Sequence, residues 1–401
     1  MKIRHSRNAL LLAALAAAGA VRGAAATADE LFDDRVVHEI RLTTHPSDWP
    51  RLRENYLSNV YYPAVLQWRD IVVEDIGIRS RGLGSRNQAK PGLKIDLDRF
   101  VPGQDFLGFQ SLVLDNLTQD PTMMKERLSM LMFRKMELPA PRVAHARLFV
   151  NGVYAGLYTI VEPIDDGFLK RNLKENGGRL YDYEWTEEYW FEYRGADLSA
   201  YSPYPFHPQT NEKNPDARPI EQMIRTINES SPAEFVGAVS AYLDLKRFLD
   251  YFAIETFLSE IDGLAGEWGA NNFYLYRFQN SNLSTLIPWD KDVTFHQPDR
   301  SIWRNTERNV LTRRVLAAPE LRAYYLDALE RCLALAGGPG GWLELEIERV
   351  YQQIRQAALE DPNKAFSHAQ FEEGVSYLGY FAFERPRFVT NQIAGSRAGE
   401  Q

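Results

Sequence analysis

The chain is expected to adopt an α+β fold in two lobes, sheet-rich in its first half and helical in its second. Three observations predict this. Short runs of alternating apolar residues fill positions 36–162, the pattern of half-buried strands. One strong helix start, Asp120-Pro121-Thr122, interrupts them, with an acidic cap and proline just inside. From Ile220 onward apolar residues recur at helical spacing. The 401 residues, 45% hydrophobic and 25% charged, have a globular balance. A net charge of -8 argues against a generic nucleic-acid binder, which is more often basic.

Residues 1–28 read as a secretory signal peptide. Lys2, Arg4 and Arg7 make a basic start, Ala9–Val21 an apolar middle, and Ala24–Ala28 a small-residue end. The apolar run is roughly half of what a spanning helix needs; the alternative is an uncleaved membrane anchor, and with no further long apolar stretch no membrane span is expected after cleavage. The single cysteine, Cys332, lies in the helical pattern DALERCLALAG and is expected to be buried; the mature chain can form no internal disulfide.

Strands are expected at Val36–Thr43, Tyr61–Trp68, Ile71–Arg79, Leu93–Leu97 and Ser111–Asn116, with a short helix at Pro46–Tyr56. The helix opened by Asp120 runs to about Glu137. Strands Val143–Val150 and Tyr154–Glu162 flank Asn151-Gly152, a hairpin signal. The Pro-, Asn- and Tyr-rich stretch Gly195–Pro219 reads as a surface excursion or lid. Helices follow at Ile220–Glu229, Pro232–Val239 and Leu245–Glu260, then a hairpin at Asn272–Arg277 and Ser284–Pro288. Further helices are expected at Thr306–Leu335, Trp342–Leu359 and Gln370–Phe383. The expected organisation is a sheet-rich lobe over 29–165, a helical lobe over 166–393 and a disordered tail over 394–401. The Asn-x-Ser/Thr sites at Asn116, Asn228 and Asn282 are as compatible with chance as with glycosylation.

Chemistry is concentrated around the second hairpin. Asp262 follows the long helix, Asn271 and Asn272 open the hairpin, and Asp290 and Asp292 close it in IPWDKD. Phosphoryl transfer needs such a layout: an Asp to accept the acceptor's hydroxyl proton, and Asn and Asp oxygens to hold the hard cation of a nucleoside triphosphate. The plainer reading is a loop cap at Asp262 and a solvated turn at Asp290 and Asp292. The segment Leu264–Ala270 is expected to loop out. Upstream, a glycine-bearing turn carries Arg79, Arg81, Ser85 and Arg86, followed by Lys94 in a strand. Such a turn suits phosphate oxygens, or is simply a solvated basic surface. Glu126, on the helix after Asp120, is placed to pair with the strand lysine, or with its own helix. Glu162, before Asp165 and Asp166, ends an apolar strand as a hinge between lobes would, or simply as a strand running into a polar turn.

The segments GIRSRGLGSR, KIDL, DPTMMKERLSMLMF, LPAPRVAHARLFVNGVYAGLYTIVEPIDDGFLKR, NNFYLYR and IPWDKDVTF together resemble the CotH kinase family, from about Leu31 to Val389. The resemblance implies a two-lobed atypical protein kinase fold that uses ATP with Mg²⁺ or Mn²⁺ to phosphorylate Ser or Thr of protein substrates. It implies Lys94 as the phosphate-contacting lysine and Asp262 as the catalytic aspartate. Asn272, with Asn271 as fallback, Asp290 and Asp292 become metal ligands, and Arg79, Arg81, Ser85 and Arg86 the phosphate turn. This chain departs from the pattern in Lys291, where an apolar residue is more usual, in the insertion after Asp262, and in Gly-Leu-Gly-Ser at the turn. A catalytically weak relative serving adhesion or envelope assembly is therefore the alternative. A carbohydrate-active enzyme would need paired carboxylates in an aromatic cleft, to which the run Tyr181–Tyr193 could contribute.

Overall fold

The structure, a computed structural model, describes residues 26–399. The expected signal peptide therefore lies outside the described residues up to position 25. Seven strands close into a barrel: β1 His38–Thr44, β2 Tyr62–Trp68, β3 Ile71–Arg81, β4 Gly92–Asp96, β5 Ser111–Asp115, β6 Val143–Val150 and β7 Val153–Val161. Their order is β1-β2-β3-β4-β5-β7-β6, and only the closing pair, β1 with β6, runs parallel. Alternation sorts the faces. Ile78, Leu93, Ile95, Leu112, Leu114 and Ile160 fill the interior with Trp68 and Leu148, while Arg79, Arg81, Lys94 and Asp115 alternate with them on the outside. Between β6 and β7, Asn151 and Gly152 both take positive φ, 51° and 80°, as a tight two-residue turn requires.

The second half combines helices with a four-stranded antiparallel sheet ordered β11-β10-β8-β9. Its strands are β8 Arg179–Tyr183, β9 Phe206–Pro208, β10 Phe273–Arg277 and β11 Ser284–Pro288. The long helices are Lys125–Lys135, Leu245–Phe257, Pro319–Ala336, Trp342–Glu360 and His368–Ala398. They share one large core with the aromatic run around Tyr183, Tyr189 and Phe191, which is therefore packing and not an open cleft wall. The fold is α+β. No helix among the described residues is long and apolar enough to cross a membrane. Cys332 is buried and unbonded.

Several expectations need correction. Gly195–Pro219 is a surface excursion only in part: residues 211–215 are exposed, but Tyr201 and Phe206 are fully buried and β9 pairs with β8. Buried aromatic side chains outweigh the prolines around them. The insertion after Asp262 does not loop out. Leu264 and Ala270 are buried, Gly266 bridges Gly269, and Asn305 donates to the Gly266 carbonyl at 2.7 Å. The single expected helix over 306–335 is two, Val310–Leu316 and Pro319–Ala336, because Pro319 opens a second. The last helix passes through Pro386 and continues to Ala398. Arg385 anchors it by donating to the carbonyls of Phe257, Pro298, Arg300 and Thr256. The expected disordered tail is thus helical through Ala398, where Arg397 pairs with Asp327 and Glu330.

Candidate active site

The outer face of β3, β4 and β5 forms one wall. Arg79 sits directly across the strand pair from Lys94. Lys94 makes no hydrogen bond or ion pair with any described residue. Burial, with Arg79 and Arg81 nearby, lowers its pKa. Arg81 lies 3.6 Å from Asp115, and its guanidinium is 5.8 Å from the Trp289 ring centroid, so it reaches from the barrel to the opposite wall. Arg79 donates to Asn59 and to its neighbour's carbonyl. Ser85 sits in the turn, its carbonyl capped by Asn116 at 2.9 Å. Gly82, at φ 103°, must be glycine here, since a Cβ would come within 2.4 Å of the Ser85 hydroxyl.

The other wall grows from the end of the helix Leu245–Phe257. Asp262 follows it in a half-buried loop. Asn271 Nδ2 donates to Asp262 Oδ1 at 3.1 Å, and Asn272 Nδ2 donates to both Oδ2 and the backbone oxygen of Asp262 at 3.0 Å. Asn272 itself takes φ 58°, a conformation asparagine tolerates, which turns its amide back toward Asp262. Asp290, at φ 49°, leaves β11 at the other end of the hairpin, where the Trp289 N–H meets the Asn272 carbonyl at 3.2 Å. Hairpin pairing of Phe273 with Pro288 fixes this juxtaposition.

Between the walls lies a group of mutually repelling carboxylates. Burial, then Asp115, pushes Asp290 up to about 6. Burial raises Glu126 well above its usual range, with Asp115 and Asp290 adding to it. Asp292 is raised in the same way by burial and by Asp290. None of these three receives a hydrogen bond from a described residue. Arg81 and Lys291 are the cations that oppose the rise at Glu126 and Asp290. Carboxylate and amide oxygens are the donors a hard divalent cation takes, and unrelieved negative charge is what such an ion would neutralise. In chemistry the residues therefore fit. Among the described residues no group of three or more His, Cys, Asp or Glu stands in metal-holding geometry, so an ion here would need further oxygens, which nucleotide phosphates can supply.

The structure thus brings Asp262, Asn271 and Asn272 into hydrogen-bond contact and gathers Glu126, Asp290 and Asp292 around Asp115. Other expected members stand apart. Arg81 and Lys291, not Lys94, are the cations that act on Glu126, and Lys94 lies across the strand pair from Arg79. Glu162 is fully buried and its oxygens accept from Arg142 at 2.6 Å and from Arg171 at 2.7 Å. It is a structural ion-pair centre, not a free ligand group. Arg86 is a strut across the turn, donating to the carbonyls of Gly82, Tyr56 and Ser58 and to Asn59.

Sequence reasoning missed three groups. Asp115 ends β5 and centres the carboxylate group. Asp182 on β8 faces the same cleft, and burial lifts it to about 7; the alternation in RLYDY could have placed it. Glu260 accepts the Asp262 N–H at 2.7 Å while its other oxygen has no partner, and burial pushes it up to about 7.

The family model described as CotH kinase protein matches residues 78–389. The chain belongs to the CotH kinase family. Among CotH relatives it is similar to the inner spore coat protein H of Bacillus subtilis, 25% identical over 363 residues, covering 88% of this chain and 97% of that protein. It is also similar to spore coat protein homolog 1 of Rhizopus delemar, 21% identical over 276 residues, covering 67% of this chain and 44% of that one. Among solved structures, the Helicobacter pylori proinflammatory kinase CtkA aligns at TM-score 0.35 and 12% identity, over 76% of this chain and 95% of that one. The Golgi casein kinase aligns at TM-score 0.35 and 7% identity, over 91% and 74%. Membership of the CotH kinase family makes this a kinase-like protein with an α+β fold.

Proposed function

We propose that the protein is an exported, metal-dependent kinase that transfers the γ-phosphate of ATP to Ser or Thr of secreted or envelope proteins. In this reading residues 29–165 and 166–393 are the two lobes, with the nucleotide between them. The observation that carries it is the Asp262 carboxylate, oriented by two asparagine amides, beside Glu126, Asp290 and Asp292, three carboxylates that receive no hydrogen bond from a described residue. Asp262 aligns the acceptor hydroxyl and takes its proton. Asn272 and Asp290, with Asp292, hold the cation, which when bound neutralises phosphate charge. Lys94, without a hydrogen bond or ion pair among the described residues, and Arg79 and Arg81 present positive charge to the phosphates from the barrel wall. The similarity to proteins named for the spore coat supports export and a coat or surface location.

The alternative, a catalytically weak module for adhesion or coat assembly, is favoured by one observation: Lys291 places a cation between the two acidic residues of the hairpin exit. One experiment separates the readings. Purified protein is incubated with labelled ATP and Mn²⁺ or Mg²⁺, beside Asp262→Ala and Asp290→Ala. The kinase reading expects label in the wild type that both variants lose. Equal background label in all three ends it, and a thermal shift with nucleotide but no transfer supports the assembly module.

A further inference from the structure

At the hairpin exit, the Lys291 side chain is engaged by the helix Leu245–Phe257 and by the start of the hairpin. It is fully buried. Its Nζ lies 2.8 Å from Glu255 Oε1 and donates to the Asn272 carbonyl at 2.8 Å. Glu255 is itself occupied on every side. It accepts from the Tyr251 hydroxyl at 2.9 Å and from the Leu264 N–H at 2.9 Å. Gly263 packs so closely on it that a Cβ there would come within 2.6 Å of its carboxylate. The backbone carbonyl of Lys291 accepts from Thr294, whose hydroxyl meets Ser129 on the helix Lys125–Lys135 at 2.9 Å. The Lys291–Glu255 pair therefore joins four pieces of chain: the ammonium links the helix Leu245–Phe257, the residue before β10 and the exit of β11, and the Glu255 carboxylate adds the loop after Asp262.

A buried lysine is costly to desolvate, and an apolar side chain of similar volume would often serve packing as well or better. What an apolar side chain cannot do is grip a carbonyl. From the described residues the Asn272 carbonyl receives two donors, the Trp289 N–H and Lys291, and the Asn272 side chain, with Asn271, orients Asp262.

We propose that Lys291 is a positioning residue, whose ammonium, braced by Glu255, fixes the backbone of Asn272 and through it the Asp262–Asn272 couple. Its presence between Asp290 and Asp292 is then a device for assembling the site and not a sign that the site is defunct. The kinetic consequence rests on the phosphotransfer reading above; the structural one does not.

The test compares the full chain as wild type, Lys291→Met, Lys291→Met/Glu255→Gln and Lys291→Arg. Thermal unfolding is read alongside hydrogen exchange of the segments 260–274 and 286–293, and kcat and KM for Mn²⁺-ATP. Lys291→Met leaves Glu255 buried and unpaired and is expected to lower Tm. The double variant removes both charges and is expected to recover most of that Tm. It should still show faster exchange in the two segments, and a kcat reduced on the order of 10²-fold, more than KM changes, as for a misplaced reacting group. Wild-type exchange or wild-type kcat in the double variant overturns the proposal, since Lys291 would then only balance charge. Should the double variant not fold, Lys291→Arg, which keeps the charge but cannot put its planar group where the ammonium sits, is held to the same criterion. A wild type without ATP-dependent transfer ends the kinase reading, while the exchange comparison still decides the role of Lys291.

Discussion

Lys90 and Asp361 meet at 2.7 Å with both side chains wholly buried, across 271 positions of sequence. Lys90 precedes β4 and Asp361 caps the end of the helix Trp342–Glu360, so the contact ties the barrel to the C-terminal helices. Asp361 also accepts the Leu157 N–H at 2.9 Å. It enters where Gly156, at φ 137°, leaves no Cβ; one there would stand 2.5 Å from its oxygen. Removing one member of a buried pair costs about 3–5 kcal/mol, because the other charge is stranded. Lys90→Met should therefore shift the urea midpoint strongly downward, and Lys90→Met/Asp361→Asn should recover part of the loss. Equal midpoints for Lys90→Met and wild type would show that the pair contributes nothing.

Glu126 offers a second prediction. It is buried among like charges, so Glu126→Gln should raise Tm at pH 8 in the absence of divalent cations. If Glu126 belongs to the cation's surroundings, the same variant should also show a smaller Tm rise on adding Mn²⁺ with ATP. An unchanged response to the cation would separate Glu126 from that site.

Glu260 gives a pH dependence with a definite sign. Burial raises its pKa in the folded state to about 7, above the ordinary glutamate value of 4.5. Between these values the folded state holds a proton that the unfolded state has released, so stability from this group falls as pH rises from about 4.5 to 7 and stays low above. Glu260→Gln keeps an acceptor for the Asp262 N–H. It should gain Tm over wild type at pH 8 and lose that advantage near pH 4.5. Glu267 runs the other way. Arg304 and Arg300 hold it down to about 2, so its contribution is present above 4.5 and lost as pH falls toward 2. Parallel Tm profiles for wild type and Glu260→Gln across this range would contradict the assignment.

Asn116 carries a glycosylation sequence, yet its side chain is 1% exposed and donates to the carbonyls of Ser85 and Lys90 at 2.9 and 2.8 Å. Expression in a glycosylating host should leave Asn116 unmodified by peptide mapping. Asn116→Ala should cost roughly 1–3 kcal/mol, chiefly by stranding the buried Lys90 carbonyl, since the Ser85 carbonyl keeps the Thr118 hydroxyl at 3.3 Å; denaturant unfolding measures it.

The barrel strands were legible because each has one apolar and one polar face, a period of two that survives in sequence. β8 and β9 were not. β8 is buried in an aromatic core, and β9 is three residues between prolines, held by pairing that only the fold reveals. The hairpin carrying Asn272 and Asp290 was legible from spacing, and the structure closes it as that spacing suggests. Partners set by long-range folding stayed hidden. Nothing near Glu162 in sequence announces Arg142, and nothing near Lys291 announces Glu255. Asp115, at the end of an ordinary strand, gains its meaning only from the carboxylates that other segments bring to it.

The parallel pairing of β1 with β6 has an effect on how this molecule meets others. A ring of strands has no unpaired backbone rim, so the first half offers no template on which a foreign extended segment could lengthen the sheet. In the second half one outer strand, β9, is short and ends in Pro208, and the other, β11, is buried along its length and bridged by Leu243, so both margins are blunted. Any polypeptide that docks here must be recognised by side chains in the cleft or on the helices, and aggregation by strand addition is suppressed in a chain that has no disulfide to protect it.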